Sequence, residues 1–201
     1  MRSRFVPFAL GPALLFAAGV AGAVVSGATA PGFTITDTAG KAVQLADYKG
    51  KYVVLEWTNP ECPFVRKHYS SGNMQGLQKE WGGRNVVWLT INSTNATHSE
   101  FKTPRDMKAW MESHGAAPAA TLLDSTSETG RAYSAKTTPH MFVVDPGGKV
   151  VYAGAIDDKW STNPADAKTA HNYVRAALTE ATSGKPVTVA STTPYGCSIK
   201  Y

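Results

Sequence analysis

The chain has 201 residues, of which 43% are hydrophobic and 17% charged. That length suits one domain with its own core, and the composition excludes a disordered or fibrous chain. The net charge of +5, two units of it from Arg2 and Arg4, is scattered. No basic stripe alternates with aromatics, which excludes the electrostatic footprint of a nucleic-acid binder.

Arg2 and Arg4 form a short positive region ahead of an apolar stretch from Phe5 to Val25, and small-x-small sites follow at Ala21-Gly22-Ala23 and Ala28-Thr29-Ala30. This pattern predicts a signal peptide over residues 1–30 and an exported protein, periplasmic or secreted. The competing reading is an uncleaved membrane anchor, which Pro7, Pro12 and several glycines disfavour as a spanning helix. The membrane is a partner only in that case.

A domain is expected over residues 31–185. Phe33–Thr36 and Ala42–Leu45 read as two short strands around a Gly40 turn, an N-terminal β extension. Tyr52–Trp57 is an apolar run of the kind that forms a buried central strand. Thr58-Asn59-Pro60-Glu61-Cys62 breaks it, and Pro63 suits a first helical position, where its missing N–H costs nothing. A helix is expected from Phe64 to about Trp81, interrupted at Ser71-Gly72. Val86–Ile91 reads as a second buried strand. Thr103-Pro104 opens a helix ending at His114-Gly115, Thr121–Leu123 is a brief strand, and Glu128–Ser134 a short helix. Met141–Val144 and Lys149–Tyr152 flank the turn Asp145-Pro146-Gly147-Gly148, a hairpin signal. Pro164–Thr182 carries apolar residues at helical spacing and reads as one last helix. Residues 186–201 form a C-terminal tail without periodicity. Strand–helix–strand units demand parallel pairing and the hairpin adds antiparallel strands, so a mixed central sheet flanked by helices on both faces is expected.

Cys62 and Cys197 are the two cysteines. Cys62 stands between a buried strand and a helix start, where free N–H groups and the helix dipole favour an anion; the thiolate is the reactive form of a cysteine. Arg66 and Lys67, one turn on, add positive charge, while His68 is expected to project elsewhere. In an oxidising compartment Cys62 and Cys197 are able to pair, as a structural staple or as a catalytic bridge. Trp57, Trp88 and Phe142 read as core, Tyr69 and Trp81 as one packed helix face, and His98 and His114 as surface. Asn92-Ser93-Thr94 and Asn95-Ala96-Thr97 match the glycosylation pattern.

Several segments carry a family resemblance: Ala30-Pro31-Gly32-Phe33, the loop Trp57–Val65, Thr138-Pro139, Asp145–Tyr152, Ile156-Asp157-Asp158 and the ending Gly196-Cys197-Ser198-Ile199-Lys200-Tyr201. On these the chain resembles the thioredoxin superfamily over almost all of its mature length. It is most similar to the peroxiredoxin-like branch of the redoxin (alkyl hydroperoxide reductase/thiol-specific antioxidant) family. The resemblance implies an α/β thioredoxin fold, Cys62 at the reactive position, and Pro139 as a cis proline facing it after Thr138. Three departures stand out. Val65 occupies the place of the second cysteine in a Cys-x-x-Cys loop, so dithiol exchange inside the loop is excluded. Asn59 stands where peroxiredoxins carry Thr or Ser, with Thr58 one residue earlier. The stretch matching their peroxide-holding arginine carries Pro139 and His140, leaving Arg66 or Arg131 as substitutes.

The expected function is therefore a thiol oxidoreductase. Cys62 attacks a peroxide or a disulfide, with peroxide favoured by the resemblance and the single-cysteine loop. Cys197 resolves the product, and an external thiol reductant closes the cycle. Thr58, Asn59, Pro63, Arg66, Thr138 and Pro139 shape the site, with no cofactor and no nucleic acid. Two alternatives are a copper-binding protein using Cys62, Cys197, His140 and His68, and a non-catalytic binding module on a retired redox fold.

Overall fold

The computed structural model describes residues 24–201. Among the described residues nine strands and five α-helices follow in the order β1 (Thr34–Thr36), β2 (Ala42–Gln44), β3 (Tyr52–Trp57), α1 (Pro63–Ser70), α2 (Asn73–Gly82), β4 (Val86–Asn92), α3 (Pro104–Ser113), β5 (Ala120–Leu123), α4 (Glu128–Ala132), β6 (Thr137–Thr138), β7 (His140–Val144), β8 (Val150–Gly154), α5 (Tyr173–Thr182) and β9 (Cys197–Ser198). The central sheet has the order β5-β4-β3-β7-β8. The β3–β4 and β4–β5 pairs are parallel, and the β3–β7 and β7–β8 pairs antiparallel.

Side chains alternate across this sheet as the pleat requires. Val54, Trp88, Met141, Val143 and Tyr152 enter one core with Val65, Tyr69, Leu77 and Met107 and with Val174 and Leu178. Those partners come from α1, α2, α3 and α5. Leu55, Trp57, Leu89, Phe142 and Val150 enter the other core, closed by Ile35 and Val43 of the β1–β2 hairpin and by Tyr133 and Ala135 after α4. The second face is thus roofed largely by the N-terminal β extension. Every central strand is buried on both sides, which explains why Tyr52–Trp57 and Val86–Asn92 read as continuous apolar runs.

The helix after Cys62 breaks where expected. Gly72 takes a left-handed φ of 76° and caps α2, a conformation that costs glycine little. The last helix is shorter than its periodicity suggested. Pro164–Lys168 is a single 3₁₀ segment. The α-helix starts only at Tyr173, where the Asn172 side chain accepts from the Arg175 amide and outcompetes continuation.

Residues 1–23, which carry most of the signal expected over 1–30, lie outside the described residues. Residues 24–30 belong to the folded body. The Gly27 amide donates to the Val150 carbonyl at 2.7 Å, the Val150 amide to Ala28 at 2.9 Å, and the Ala30 amide to Gly148 at 2.9 Å. Among the described residues no helix is long and apolar enough to cross a membrane.

Candidate active site

Cys62 is the N-cap residue of α1, with extended backbone (φ −76°, ψ 121°) and Pro63 at the first helical position. It is 1% exposed. Its loop is held by local bonds. The Cys62 amide donates to the Asn59 carbonyl at 3.0 Å, and the Asn59 side chain accepts from the Glu61 amide at 2.8 Å. Asn59 also donates to Glu100 at 2.7 Å. Thr58 is buried, and its backbone carbonyl accepts from Asn92 at 3.1 Å. Val65, in the position of a second loop cysteine, is fully buried in the core.

Opposite stands Thr138, joined to Pro139 by a cis peptide bond. The Cys62 thiol donates to the Thr138 carbonyl at 2.9 Å. Thr138 also pairs with the tail: β6 and β9 are antiparallel, with Thr138 opposite Cys197 and Thr137 opposite Ser198. This pairing brings the C-terminal cysteine onto the loop cysteine. Both thiols are free. Burial, followed by its hydrogen-bonding contact with Cys62 and the charge there, pushes the Cys197 thiol up to about 12.

The tail is docked along its length. The Thr192 amide donates to Ala153 at 3.1 Å, and the Thr192 hydroxyl accepts from the Ala155 amide at 2.9 Å. Ile199 donates to Lys136 at 3.2 Å, and Tyr201 donates to the Ala135 carbonyl at 2.7 Å. At Gly196 (φ +133°) an added Cβ would stand 2.0 Å from the Thr138 carbonyl oxygen. Only glycine permits this approach of two backbones. What the sequence shows as an aperiodic tail is a strap over the cysteine loop.

The charges of the sequence reading are placed differently from expectation. Arg66 lies on the rim, bonded to the Pro60 carbonyl at 2.7 Å and to Glu61 at 2.6 Å; Glu61 also pairs with Lys102 at 2.5 Å. Arg131 covers the ring of Tyr201, 4.6 Å from its centroid. Lys67 is not a solvent-side charge near Cys62. Its side chain is fully buried, 3.7 Å from Asp157, and donates to the Lys159 carbonyl at 2.6 Å. Burial lowers its pKa, and Asp157 opposes that shift. His68 is likewise buried and meets the Tyr195 hydroxyl of the tail at 3.1 Å. Burial, then the Lys67 charge, lowers it to about 3.

His140 is buried too, accepting from the Lys136 amide at 3.2 Å. Among the described residues no three His, Cys, Asp or Glu side chains converge as a metal-ligand set; His140 meets the Lys136 amide and His68 the Tyr195 hydroxyl, while Cys62 and Cys197 meet at Thr138. His98 and His114 are half-buried rather than surface residues, and His114 stacks on Trp110 at 4.2 Å. Asn92 is 2% exposed, which excludes it as a glycan acceptor in the folded state.

One buried acid escaped the sequence reading. Glu56 of β3 is fully buried and accepts from Tyr69 at 2.9 Å, Trp88 at 2.8 Å and Gln78 at 3.3 Å. Burial raises its pKa to about 7 against the opposing pull of these donors. A single Glu inside an otherwise apolar strand is the available signal for it.

The order of the sheet, the cis proline and a cysteine at a helix N-cap define a thioredoxin-fold redoxin. Residues 26–153 match the AhpC/TSA family, and the chain belongs to that family. It is 27% identical over 168 residues to the thiol-disulfide oxidoreductase ResA of Bacillus subtilis, covering 80% of each chain. A crystal structure of an uncharacterized conserved protein from Geobacillus kaustophilus is similar with a TM-score of 0.77 and 31% identity, over 88% of this chain and 92% of that one. The thioredoxin domain of a thiol-disulfide oxidoreductase from Bacteroides vulgatus shares the fold, with a TM-score of 0.53 and 23% identity over 65% of this chain and 89% of that one.

Proposed function

We propose that this protein is an exported thiol-disulfide oxidoreductase whose redox pair is Cys62 and Cys197. The observation that carries this reading is the pairing of Cys197 with Thr138, the residue whose carbonyl holds the Cys62 thiol. Two free thiols far apart in sequence are brought to the same residue, Thr138, by the β6–β9 pairing. The resemblance to ResA supports a disulfide as the substrate class.

In the reductive direction the Cys62 thiolate attacks one sulfur of a substrate disulfide. The substrate S–S bond breaks, and its other sulfur leaves as a thiolate and takes up a proton. Cys197 loses its proton and attacks the Cys62 sulfur. That step closes the Cys62–Cys197 bond and releases the first substrate sulfur as a second thiol. The substrate gains two electrons and the pair loses them; an external thiol reductant restores the pair. Asn59 and Pro63 set the loop, Thr58 and Thr138 wall it, Pro139 shapes the opposite strand, and Arg66 ties the rim to Glu61.

The AhpC/TSA match and the single-cysteine loop favour a second substrate, a peroxide. Cys62 then attacks the O–O bond and keeps one oxygen as a sulfenic acid, while the other leaves as water or an alcohol. Condensation with the Cys197 thiol releases water and forms the same disulfide. Export follows from the N-terminal pattern, and the paired segment 24–30 favours cleavage at Ala21-Gly22-Ala23, which leaves it intact.

The test compares the mature protein with its Cys197→Ser variant, each reduced and then exposed to hydrogen peroxide or to oxidised glutathione. Non-reducing peptide mapping follows the product. Rapid formation of a Cys62–Cys197 disulfide in the parent alone supports the pair. Its absence under both oxidants refutes it. The faster of the two oxidants identifies the substrate class.

A further inference from the structure

Two residues before Cys197, the tail sends Tyr195 into a buried polar pocket. Its ring is 5% exposed and meets Phe64 edge-on at 5.7 Å, with Trp160 at 6.0 Å. Its hydroxyl donates to Asp157, accepts from His68 at 3.1 Å, and accepts from Lys67 at 3.4 Å. Asn73 donates to the other nitrogen of His68 at 3.0 Å, so the imidazole proton faces the tyrosine. The one donor and two acceptor positions of the hydroxyl are all used. Lys67, His68 and Asp157 are themselves buried.

Buried ion pairs are weak contributors to stability, and desolvation opposes them. This one serves as a socket. Lys67 and His68 lie on α1, the helix that Cys62 caps, and Asp157 follows β8. The socket is thus rigidly connected to the reactive cysteine on one side and filled by the tail on the other. Tyr195 plugs it, Gly196 steps over the Thr138 carbonyl, and Cys197 lands beside Cys62. With the plug in place Cys62 is 1% exposed.

We propose that Tyr195 is the positioning residue for Cys197: its seat between Lys67, His68 and Asp157 sets the effective concentration of the Cys197 thiol at Cys62, and its withdrawal opens Cys62 to external partners. This inference rests on the reading that Cys62 and Cys197 form the redox pair. Seated, the tail favours closure of the internal disulfide. Unseated, it leaves Cys62 to a partner's disulfide or thiol. The effective concentration of a tethered group depends on how well its geometry is held, which makes it the quantity to measure.

The experiment equilibrates the mature protein with glutathione and oxidised glutathione, traps it in acid and resolves the species by mass. In the mixed disulfide Cys62 is bonded to glutathione. Cys197 loses its proton and attacks the Cys62 sulfur, and glutathione leaves as a thiolate that takes up a proton. The ratio of closed to mixed disulfide, multiplied by the glutathione concentration, is the effective concentration of Cys197. Tyr195→Phe keeps the ring and deletes the hydroxyl, and is expected to lower that concentration about tenfold or more, so that the Cys62–glutathione species accumulates. The control is Thr192→Val, which removes tail bonds to Tyr152 and Ala155 away from the thiols. It is expected to lower the melting temperature without moving the ratio.

An unchanged ratio in folded Tyr195→Phe protein overturns the proposal, as does an equal fall in Thr192→Val. A second readout needs no disulfide. Alkylation of Cys62 by iodoacetamide in Cys197→Ser is expected to accelerate about tenfold when Tyr195→Phe is added, and an equal rate overturns the proposal. Failure of the parent to close any disulfide refutes the redox pair instead, and the alkylation rates then still decide whether Tyr195 covers Cys62.

Discussion

Replacing Glu56 by Gln isolates the one buried acid of the central sheet. Burial raises the Glu56 pKa from 4.5 to about 7 even though Trp88, Tyr69 and Gln78 all donate to it and pull the other way. At about 1.4 kcal/mol per pH unit, ionising it in the folded protein costs about 3 kcal/mol. A folded pKa above the unfolded one means that the fold holds the proton more tightly. The contribution is therefore fully present below pH 4.5 and falls away as pH rises toward 7. The amide has no such titration. Its oxygen can accept from Trp88, but its NH2 group leaves one of the surrounding donors without an acceptor, a pH-independent loss of about 1 kcal/mol. Urea unfolding of parent and Glu56→Gln at pH 4.5, 6 and 8 measures the difference, in which all other titrating groups cancel. The variant is expected to be the less stable at pH 4.5 and to gain about 3 kcal/mol on the parent by pH 8. A difference that does not change with pH refutes the assignment of a buried, neutral-leaning Glu56.

Two further changes test the strap and its socket. Gly196→Ala places a methyl group 2.0 Å from the Thr138 carbonyl. It is expected to lift the tail and slow Cys62–Cys197 closure about a hundredfold, read by timed acid trapping, while α5 and the sheet still melt cooperatively. Lys67→Met leaves Asp157 charged and buried, with an expected loss of about 3–5 kcal/mol. Lys67→Met combined with Asp157→Asn is expected to recover at least half of that in the same unfolding assay.

The elements of the fold were legible because their signals are local. Tyr52–Trp57 and Val86–Asn92 declare buried strands by composition, Pro63 and Pro104 sit at first helical positions, and Gly72 marks the break between α1 and α2. The overextended last helix shows the limit: apolar spacing through 164–182 says nothing of the competing cap at Asn172. Cys62 and cis Pro139 were legible through motif context. The Lys67–Asp157–Tyr195–His68 socket was not, because its members come from three distant segments and no local pattern pairs them. The tail gave no periodicity since its one strand is two residues long and it otherwise docks by a lone bridge at Ser191, single bonds and glycine contacts.

Placing the second thiol on a docked tail changes what its reactivity depends on. In a Cys-x-x-Cys loop both sulfurs ride on one helix start, so their distance is fixed by helix geometry. Here Val65 fills that second position with core, and the partner thiol arrives by strand pairing at Thr138. Closure of the disulfide therefore includes the free energy of seating the strap. Every tenfold change in the seated fraction multiplies the closure constant tenfold, which for a two-electron couple is about 30 mV of potential. Mutations or partners that touch only Tyr195 are then able to retune the proposed redox pair without contacting either sulfur. The strongly raised Cys197 thiol agrees with this division of labour. Burial first, and then its contact with Cys62, raises it while seated, so in the proposed cycle the first attack falls to Cys62 and Cys197 acts second.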